Sequence, residues 1–298
     1  GDKTSCEFIP GAIWSAPPNT CTVTSNQNIS LGETWTVNSS ITLTINSGVT
    51  ITIQNGATFK NNSGGIISNQ GIINNNSAGV ISNSGSINNS GTINNNGFIN
   101  NSGTIQNNST GIISNSDTIS NSGTITNNST AVILNSNNIN NSGTITNSGT
   151  ITITNVGGIG INNSGTFDNS AGTINISNIG GTGIDNTGIF NNLSGGTITI
   201  STTLGTGISN SGTISNSGTI NVSNPLVTGI NNTVTGTINN LSGGTITISN
   251  ALGTGISNSG TISNSGTISI LNAGGTGINN TPTGTFTNSG AITTSSTS

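Results

Sequence analysis

The feature that most constrains the fold is an isoleucine that recurs every six or eight residues between positions 67 and 151. Six residues advance an α-helix by about 600°, so successive isoleucines would fall on different faces and would form no apolar stripe. In an extended chain an even spacing keeps the same parity, because residues i and i+2 share one face. The spacing therefore predicts short strands that each send an isoleucine inward.

Small polar residues separate these predicted strands. In "GTITNSG", residues 143–149, the isoleucine faces one way and the flanking threonines the other, and "NSG" follows. Glycine and asparagine tolerate the left-handed backbone conformations that sharp bends require. We therefore expect strands and corners to alternate as a coil of parallel strands. At the corners, asparagines should stack in hydrogen-bonded ladders like those of cross-β assemblies.

The second half of the chain shows the length of one turn, or rung. Gly-Ile pairs open similar segments at intervals of 23, 24, 22, 26 and 22 residues, and residues 205–220 recur identically at 253–268. Such repeats indicate a solenoid. The predicted fold is all-β: a single-chain parallel β-solenoid, or β-helix, with three strands per rung and 20–26 residues per rung. At a spacing of about 4.8 Å, roughly 13 rungs would give a rod of about 60 Å.

The expected division of the chain is an N-terminal cap or arm with a cysteine pair over residues 1–22 and the solenoid over residues 23–298. Strict alternation in residues 34–59 is interpreted as the first rungs. The isoleucines predicted to form the solenoid core are Ile67, Ile73, Ile87, Ile93, Ile105, Ile119, Ile125, Ile139, Ile145, Ile151, Ile208, Ile214, Ile256 and Ile262.

Two other states are compatible with so much Asn, Ser and Gly. Such segments can be disordered because they bury too little apolar surface, but the isoleucines keep their parity for most of the chain. Stacked asparagines and apolar residues also suit amyloid-like fibrils. A glycine every six to eight residues favours a single chain that stacks on itself.

The scarcity of charge excludes several functions. The 298 residues include 2 Lys+Arg, 6 Asp+Glu and no His. Nothing is available to neutralise phosphates, so we expect no nucleic-acid binding. No apolar run is long enough to cross a bilayer, so we expect no membrane insertion.

Catalysis is also not expected. Beyond Lys60 the only ionisable side chains are Asp117, Asp168 and Asp185. Asp168 and Asp185 should lie on different faces, whereas acid–base chemistry needs close carboxylates or a base with a metal or arginine partner. Calcium binding by a nonapeptide coil would need an aspartate in each turn. We therefore predict no catalytic, cofactor-binding or metal-binding residues.

Cys6 and Cys21 enclose a proline-containing segment. We favour an intrachain disulfide, with two free thiols as the alternative, because an exported chain would oxidise the pair. The sequence lacks methionine even at position 1, which suggests removal of an N-terminal secretory signal. The expected location is extracellular or on the cell surface.

The ends of the predicted solenoid suggest self-assembly. An end turn exposes unpaired backbone groups and isoleucines, and the segment around Ile292 contains no proline or charge to block addition of another copy. We expect a head-to-tail homopolymer. Phe8, Ile9, Ile13 and Trp14 are apolar and lie outside the periodic region. They are predicted either to cap the first rung or to dock on a neighbour by strand addition.

Two surface functions stay open. "TIT" recurs as in flat ice-binding faces, but Ser or Asn occupies the same places on intermediate rungs, so we expect no uninterrupted threonine array. Asn28, Asn192 and Asn240 match the glycan-acceptor pattern, although such matches arise by chance in this composition.

The "NNSGTITNSGTI" repeats resemble those of adhesin-like surface proteins of archaea and bacteria, whose Asn/Thr/Ser/Gly/Ile repeats form parallel β-solenoids. The resemblance covers about residues 23–298 and implies export, a cell-surface or filament location, and a structural or adhesive role. We predict an extracellular structural subunit that stacks end to end into a filament, pilus-like fibre or sheath. The alternative is an adhesin that binds surface glycans or other cells through its polar flank, and an ice-binding protein is less favoured.

Overall fold

A computed structural model describes residues 9, 12–15 and 19–295. The chain divides into two compact units, residues 1–135 and 136–298. All the regular elements in the described residues are β-strands. No helix in that part of the chain is long and apolar enough to span a membrane.

In unit 1 each turn contributes one strand to each of three sheets, which we name A, B and C in chain order. Sheet A contains β1 (Ala12–Ser15), β2 (Thr20–Val23), β5 (Thr42–Ile45), β8 (Ile66–Asn69), β11 (Ser86–Asn89), β14 (Thr104–Asn107) and β17 (Thr124–Asn127). Sheet B contains β3 (Gln27–Ile29), β6 (Thr50–Ile53), β9 (Ile72–Asn75), β12 (Thr92–Asn95), β15 (Ile112–Asn115) and β18 (Val132–Asn135). Sheet C contains β4 (Thr34–Val37), β7 (Thr58–Asn61), β10 (Val80–Asn83), β13 (Phe98–Asn101) and β16 (Ile119–Asn121).

Unit 2 has the same three strand positions per turn. Sheet A contains β20 (Thr144–Asn147), β23 (Thr166–Asn169), β26 (Ile189–Asn192), β29 (Thr213–Asn216), β32 (Thr237–Asn240), β35 (Thr261–Asn264) and β38 (Thr285–Asn288). Sheet B contains β21 (Thr150–Thr154), β24 (Thr173–Ile179), β27 (Thr197–Thr203), β30 (Thr219–Pro225), β33 (Thr245–Ser249), β36 (Thr267–Leu271) and β39 (Ala291–Ser295). Sheet C contains β19 (Ile139–Asn141), β22 (Ile161–Asn163), β25 (Ile184–Asn186), β28 (Thr206–Asn210), β31 (Thr228–Asn232), β34 (Thr254–Asn258) and β37 (Ile278–Asn280).

Equivalent strands of successive turns pair in parallel and in register. In unit 1, for example, Ile93 of β12 lies beside Ile113 of β15, and in unit 2 Ile214 of β29 lies beside Ile238 of β32. Only β1 pairs antiparallel in the described sheets, with β2. The predicted all-β fold, a parallel β-solenoid with three strands per rung, is therefore confirmed.

The interior of each unit consists of columns of isoleucine. Each of the 14 isoleucines named above is exposed by 3% or less. In sheet A of unit 2, Phe167 and Phe190 replace isoleucine on adjacent turns, and their rings stack with centroids 4.7 Å apart. Each buried isoleucine contributes roughly 1.5–3 kcal/mol, so the interior can stabilise a chain with few other apolar residues.

Buried asparagines form the predicted ladders. Asn210 is typical: its Nδ2 donates to Oδ1 of Asn232 on the next turn at 2.8 Å, and its Oδ1 accepts from Nδ2 of Asn186 at 2.9 Å. The ladder asparagines of unit 1 are Asn61, Asn69, Asn75, Asn83, Asn89, Asn95, Asn101, Asn107, Asn115, Asn121, Asn127 and Asn135. Those of unit 2 are Asn141, Asn147, Asn163, Asn169, Asn186, Asn192, Asn210, Asn216, Asn232, Asn240, Asn258 and Asn264, followed on the last described turn by Asn280 and Asn288, which are exposed.

Some corner glycines have the expected left-handed φ, such as Gly64 at 78° and Gly195 at 81°, whereas others have a different role. Gly103 and Gly123 do not have a left-handed φ. Instead, a Cβ on Gly123 would meet the carbonyl oxygen of Gly103, on the preceding turn, at 2.1 Å. At these corners glycine is required because successive turns approach closely. Left-handed conformations occur elsewhere, at other glycines and at asparagine, threonine, alanine and serine.

Candidate functional site

The few ionisable side chains of the solenoid are dispersed. Asp168 lies on sheet A and Asp185 on sheet C, on different faces as expected. Asp117 lies at the corner between β15 and β16, and Oδ1 of Asp168 accepts from Nδ2 of Asn191 at 2.8 Å. In the described part of the chain, no three His, Cys, Asp or Glu residues form a group that could hold a metal ion. These aspartates are therefore placed among amides and hydroxyls in the polar walls.

The N-terminal residues lie at the first turn of unit 1. Ile9 is buried, Trp14 of β1 is half-buried and lies opposite Cys21 of β2, and Ile13 is 60% exposed. Strand β1 thus covers the outer edge of β2, which corresponds to the capping alternative for this segment. Phe8 lies outside the described residues.

Of the two cysteines, only Cys21 lies within the described residues. Cys21 is fully buried in β2, whereas Cys6 lies outside the described residues. The disulfide between them stays a prediction.

Two of the three candidate glycan acceptors are inaccessible. Asn192 and Asn240 are ladder residues, exposed by 0% and 1%, and each donates its Nδ2 to the next asparagine of sheet A. A glycan on either amide nitrogen would have to pass through the packed interior. Asn28 is exposed on β3.

The last described turn of unit 2 presents an edge in all three sheets. Strands β37, β38 and β39 each pair on one side only among the described residues. Ile292 of β39 is 37% exposed, and Phe286 and Ile278 are half-buried. In the preceding turn the equivalent residues, Ile256, Ile262 and Ile268, are buried.

The outer face of sheet B in unit 2 contains an uninterrupted row of threonines, contrary to the expectation that Ser or Asn would interrupt it. The first residue of each strand faces outward, and these residues stack as a column from turn to turn. In this first column the residue is threonine on six successive turns, from Thr150 on β21 to Thr267 on β36. The second column alternates as expected, with Asn175 and Asn221 between threonines. Linear spacing concealed the first column because the turns differ in length by one to four residues. This face is an ordered, uncharged array of hydroxyls and amides.

A cluster of exposed leucines was not predicted. At the corner that follows sheet B in unit 2, Leu204, Leu226 and Leu252 occupy equivalent positions on three successive turns. With Val227 they form what we call the leucine ridge, and their exposures are 59%, 46%, 66% and 54% in the order Leu204, Leu226, Leu252, Val227. The sequence signal for this cluster is "LGTG", which occurs at 204–207 and 252–255. In both copies the leucine falls at a position that does not alternate with the inward-facing isoleucines.

Glycines occupy the equivalent positions on the two turns before the ridge. These are Gly157 and Gly180, followed by Gly158 and Gly181, and we call the depression above them the glycine notch. A cavity of about 410 Å³ lies there, and Val156, Ile179 and Leu204 contribute to its mostly apolar lining. Ridge and notch are therefore adjacent on one corner.

The turns and their amide ladders define the class of protein: a single-chain parallel β-solenoid. No protein-family model and no curated protein matches the chain. A solved structure to which it is similar is the crystal structure of a TibC-catalysed hyper-glycosylated fragment of TibA, residues 55–350. The identity is 18%, the TM-score is 0.47, and the match covers 92% of this chain and 97% of that one.

Proposed function

We propose that the protein is an extracellular structural subunit whose last described turn adds a further copy of the chain, head to tail, into a filament, pilus-like fibre or sheath. One observation carries the proposal: this turn keeps the register of the turns before it. Thr261 pairs with Thr285 in sheet A, and Thr267 pairs with Ala291 in sheet B. The edge therefore has the geometry that accepts another parallel strand.

The side chains at this edge also suit addition of a turn. Burial of Ile292 and completion of the burial of Phe286 would favour stacking. Nδ2 of Asn288 donates to the carbonyl oxygen of Gly290. Earlier members of its ladder, such as Asn264, also donate to an asparagine Oδ1 on the next turn. A further copy would add apolar contacts at this position, because its first strands carry Val23 and Val37 where later turns carry the ladder asparagines.

At the first turn of unit 1, the edges of the three sheets differ. Strands β3 and β4 each pair on one side within the described residues, whereas β2 carries β1 on its outer edge. Stacking that preserves sheet order would place β38 on β2 and β39 on β3. Sheet C has one strand fewer than sheet B, and one fewer than sheet A without β1, so a gap of one strand would separate β37 from β4. Strand β1 would have to leave β2, so it would restrain assembly.

Ile13→Pro should shorten the lag of assembly because proline disfavours a strand, whereas Ile13→Thr, which keeps strand propensity, should not.

The test is electron microscopy of purified protein at several concentrations, with two matched variants. Ile292→Lys places a charge on the stacking face and should abolish filaments, because an inward charge on an edge strand opposes pairing. Thr293→Lys adds the same charge to the neighbouring, outward residue of β39 and should leave filaments intact. Wild-type protein that stays monomeric at all concentrations, or equal loss of filaments in both variants, would contradict the proposal.

A second candidate is adhesion through the flank, favoured by the outer face of sheet B in unit 2. Its ordered hydroxyls and amides could hydrogen-bond a neutral, repetitive polar surface. Thr219→Lys, at the centre of the continuous threonine column, should weaken binding to an insoluble neutral polysaccharide. Thr213→Lys, on the outer face of sheet A, should not. Thermal hysteresis measured on the same proteins would assign the face to ice instead.

A further inference from the structure

We propose that the leucine ridge and the glycine notch of unit 2 form a lateral self-association surface, in which the ridge of one copy fills the notch of a second copy. The ridge contains four apolar side chains that are each about half exposed or more, and they lie on three successive turns. Large contiguous apolar patches, above about 400 Å², are rare on soluble monomers and commonly mark interaction sites.

The spacing of the two features identifies the occupant as a second copy of this chain. Equivalent residues on successive turns of a solenoid are separated by the distance between paired strands, about 4.8 Å. The ridge leucines and the notch glycines share this spacing because they occupy the same position of successive turns. A partner that matches a row of gaps at this interval must present side chains at the same interval, and a second copy does so.

The notch is open for a side chain from outside. A Cβ built on Gly157 or Gly158 meets no atom within 4 Å, so this part of the notch is not filled by the chain's own packing. The cavity there has room for leucine side chains, and its lining is mostly apolar. Apolar side chains entering it would lose water on both sides of the contact.

The order of ridge and notch along the corner favours an antiparallel arrangement, because that arrangement uses the ridge and the notch of both copies. If two copies lay parallel and level, leucine would face leucine and glycine would face glycine. A two-fold axis between the turns of Gly180 and Leu204 instead places Leu204 against the partner's Gly180 and Leu226 against the partner's Gly157. The contact is then isologous and closes as a dimer.

Charge does not oppose this contact. The segment from residue 186 to residue 298 contains no Asp, Glu, Lys or Arg, and the ridge lies within it. The ridge therefore brings no charged side chain into the contact, so it adds none of the cost of desolvating one. On the turn of Gly180 the charged side chain after the notch is Asp185, which lies on sheet C. Lateral pairing depends on the corner of unit 2 alone, so it is independent of whether the ends stack.

The test is the oligomeric state in solution, measured by sedimentation equilibrium in the Ile292→Lys background so that end-to-end stacking cannot contribute. We expect a monomer–dimer equilibrium. Leu226→Asn should raise the dimer dissociation constant at least tenfold, because each copy loses one buried leucine contact. Gly157→Leu should raise it to a similar extent by filling the notch, and circular dichroism should show the same fold for both variants.

Leu241→Asn is the matched control. Leu241 is 44% exposed, close to Leu226 at 46%, but it lies at the corner between sheets A and B. This variant should dimerise as the parent does. A mixture of Leu226→Cys and Gly157→Cys proteins should cross-link as mixed dimers through a short thiol-specific reagent. A parent protein that is monomeric, an equal effect of Leu241→Asn, or predominant Leu226→Cys homodimers would overturn the proposal.

Discussion

Removing one asparagine side chain from a ladder should destabilise the turns around it. Asn210 of β28 is fully buried. Its Nδ2 lies 2.8 Å from Oδ1 of Asn232, 3.1 Å from the carbonyl oxygen of Gly212 and 3.1 Å from that of Thr237. Its Oδ1 accepts from Asn186 at 2.9 Å. Asn210→Ala deletes all of these contacts together.

The magnitude follows from these contacts. Each hydrogen bond contributes about 0.5–1.5 kcal/mol net, and a buried group left without its partner costs about 1–3 kcal/mol. Oδ1 of Asn232 would lose its ladder donor, whereas Nδ2 of Asn186 keeps two carbonyl acceptors. We expect a loss of about 3–5 kcal/mol in the free energy that protects these turns.

Hydrogen exchange followed by mass spectrometry is the suitable assay. Repeat arrays unfold by local opening of neighbouring turns, so one global unfolding free energy would average over unaffected turns. Protection should fall at residues 206–240 and stay unchanged at residues 80–115 of unit 1.

Ser209→Ala changes the adjacent, half-buried residue that faces the flank and should alter protection by less than about 0.5 kcal/mol. Equal protection in Asn210→Ala and Ser209→Ala would refute the reasoning that the ladders stabilise the solenoid.

Two further predictions concern the corners. Gly123→Ala should cost about 1–3 kcal/mol, because its Cβ overlaps the turn before it, whereas Gly158→Ala, with nothing within 4 Å, should cost nothing measurable. Hydrogen exchange at the turns around each substitution compares the two variants, and equal protection would contradict the close-approach role of Gly123. Thr202 has a left-handed φ of 56°, and asparagine occupies the equivalent left-handed position on the adjacent turns, at Asn178 and Asn224. Thr202→Asn should raise the melting temperature by relieving about 1 kcal/mol of left-handed strain, while Thr199→Asn, on a regular strand, should not raise it.

The sequence by itself determined the fold class, because the parity of the isoleucines allows only extended strands that share one interior. It also determined the amide ladders, since a composition so rich in asparagine leaves few other ways to satisfy buried polar groups. Both results depend on local periodicity, which the printed residues contain in full.

The tertiary structure decided what the surfaces present. Thr150 and Thr173 become neighbours only when turns of unequal length are aligned by strand pairing, and Leu204 joins Leu226 and Leu252 for the same reason. The close approach at Gly123 is likewise a distance between turns and has no local signature. Linear spacing encodes which residues face inward, whereas the lateral alignment of the outward residues depends on how each corner accommodates its extra residues.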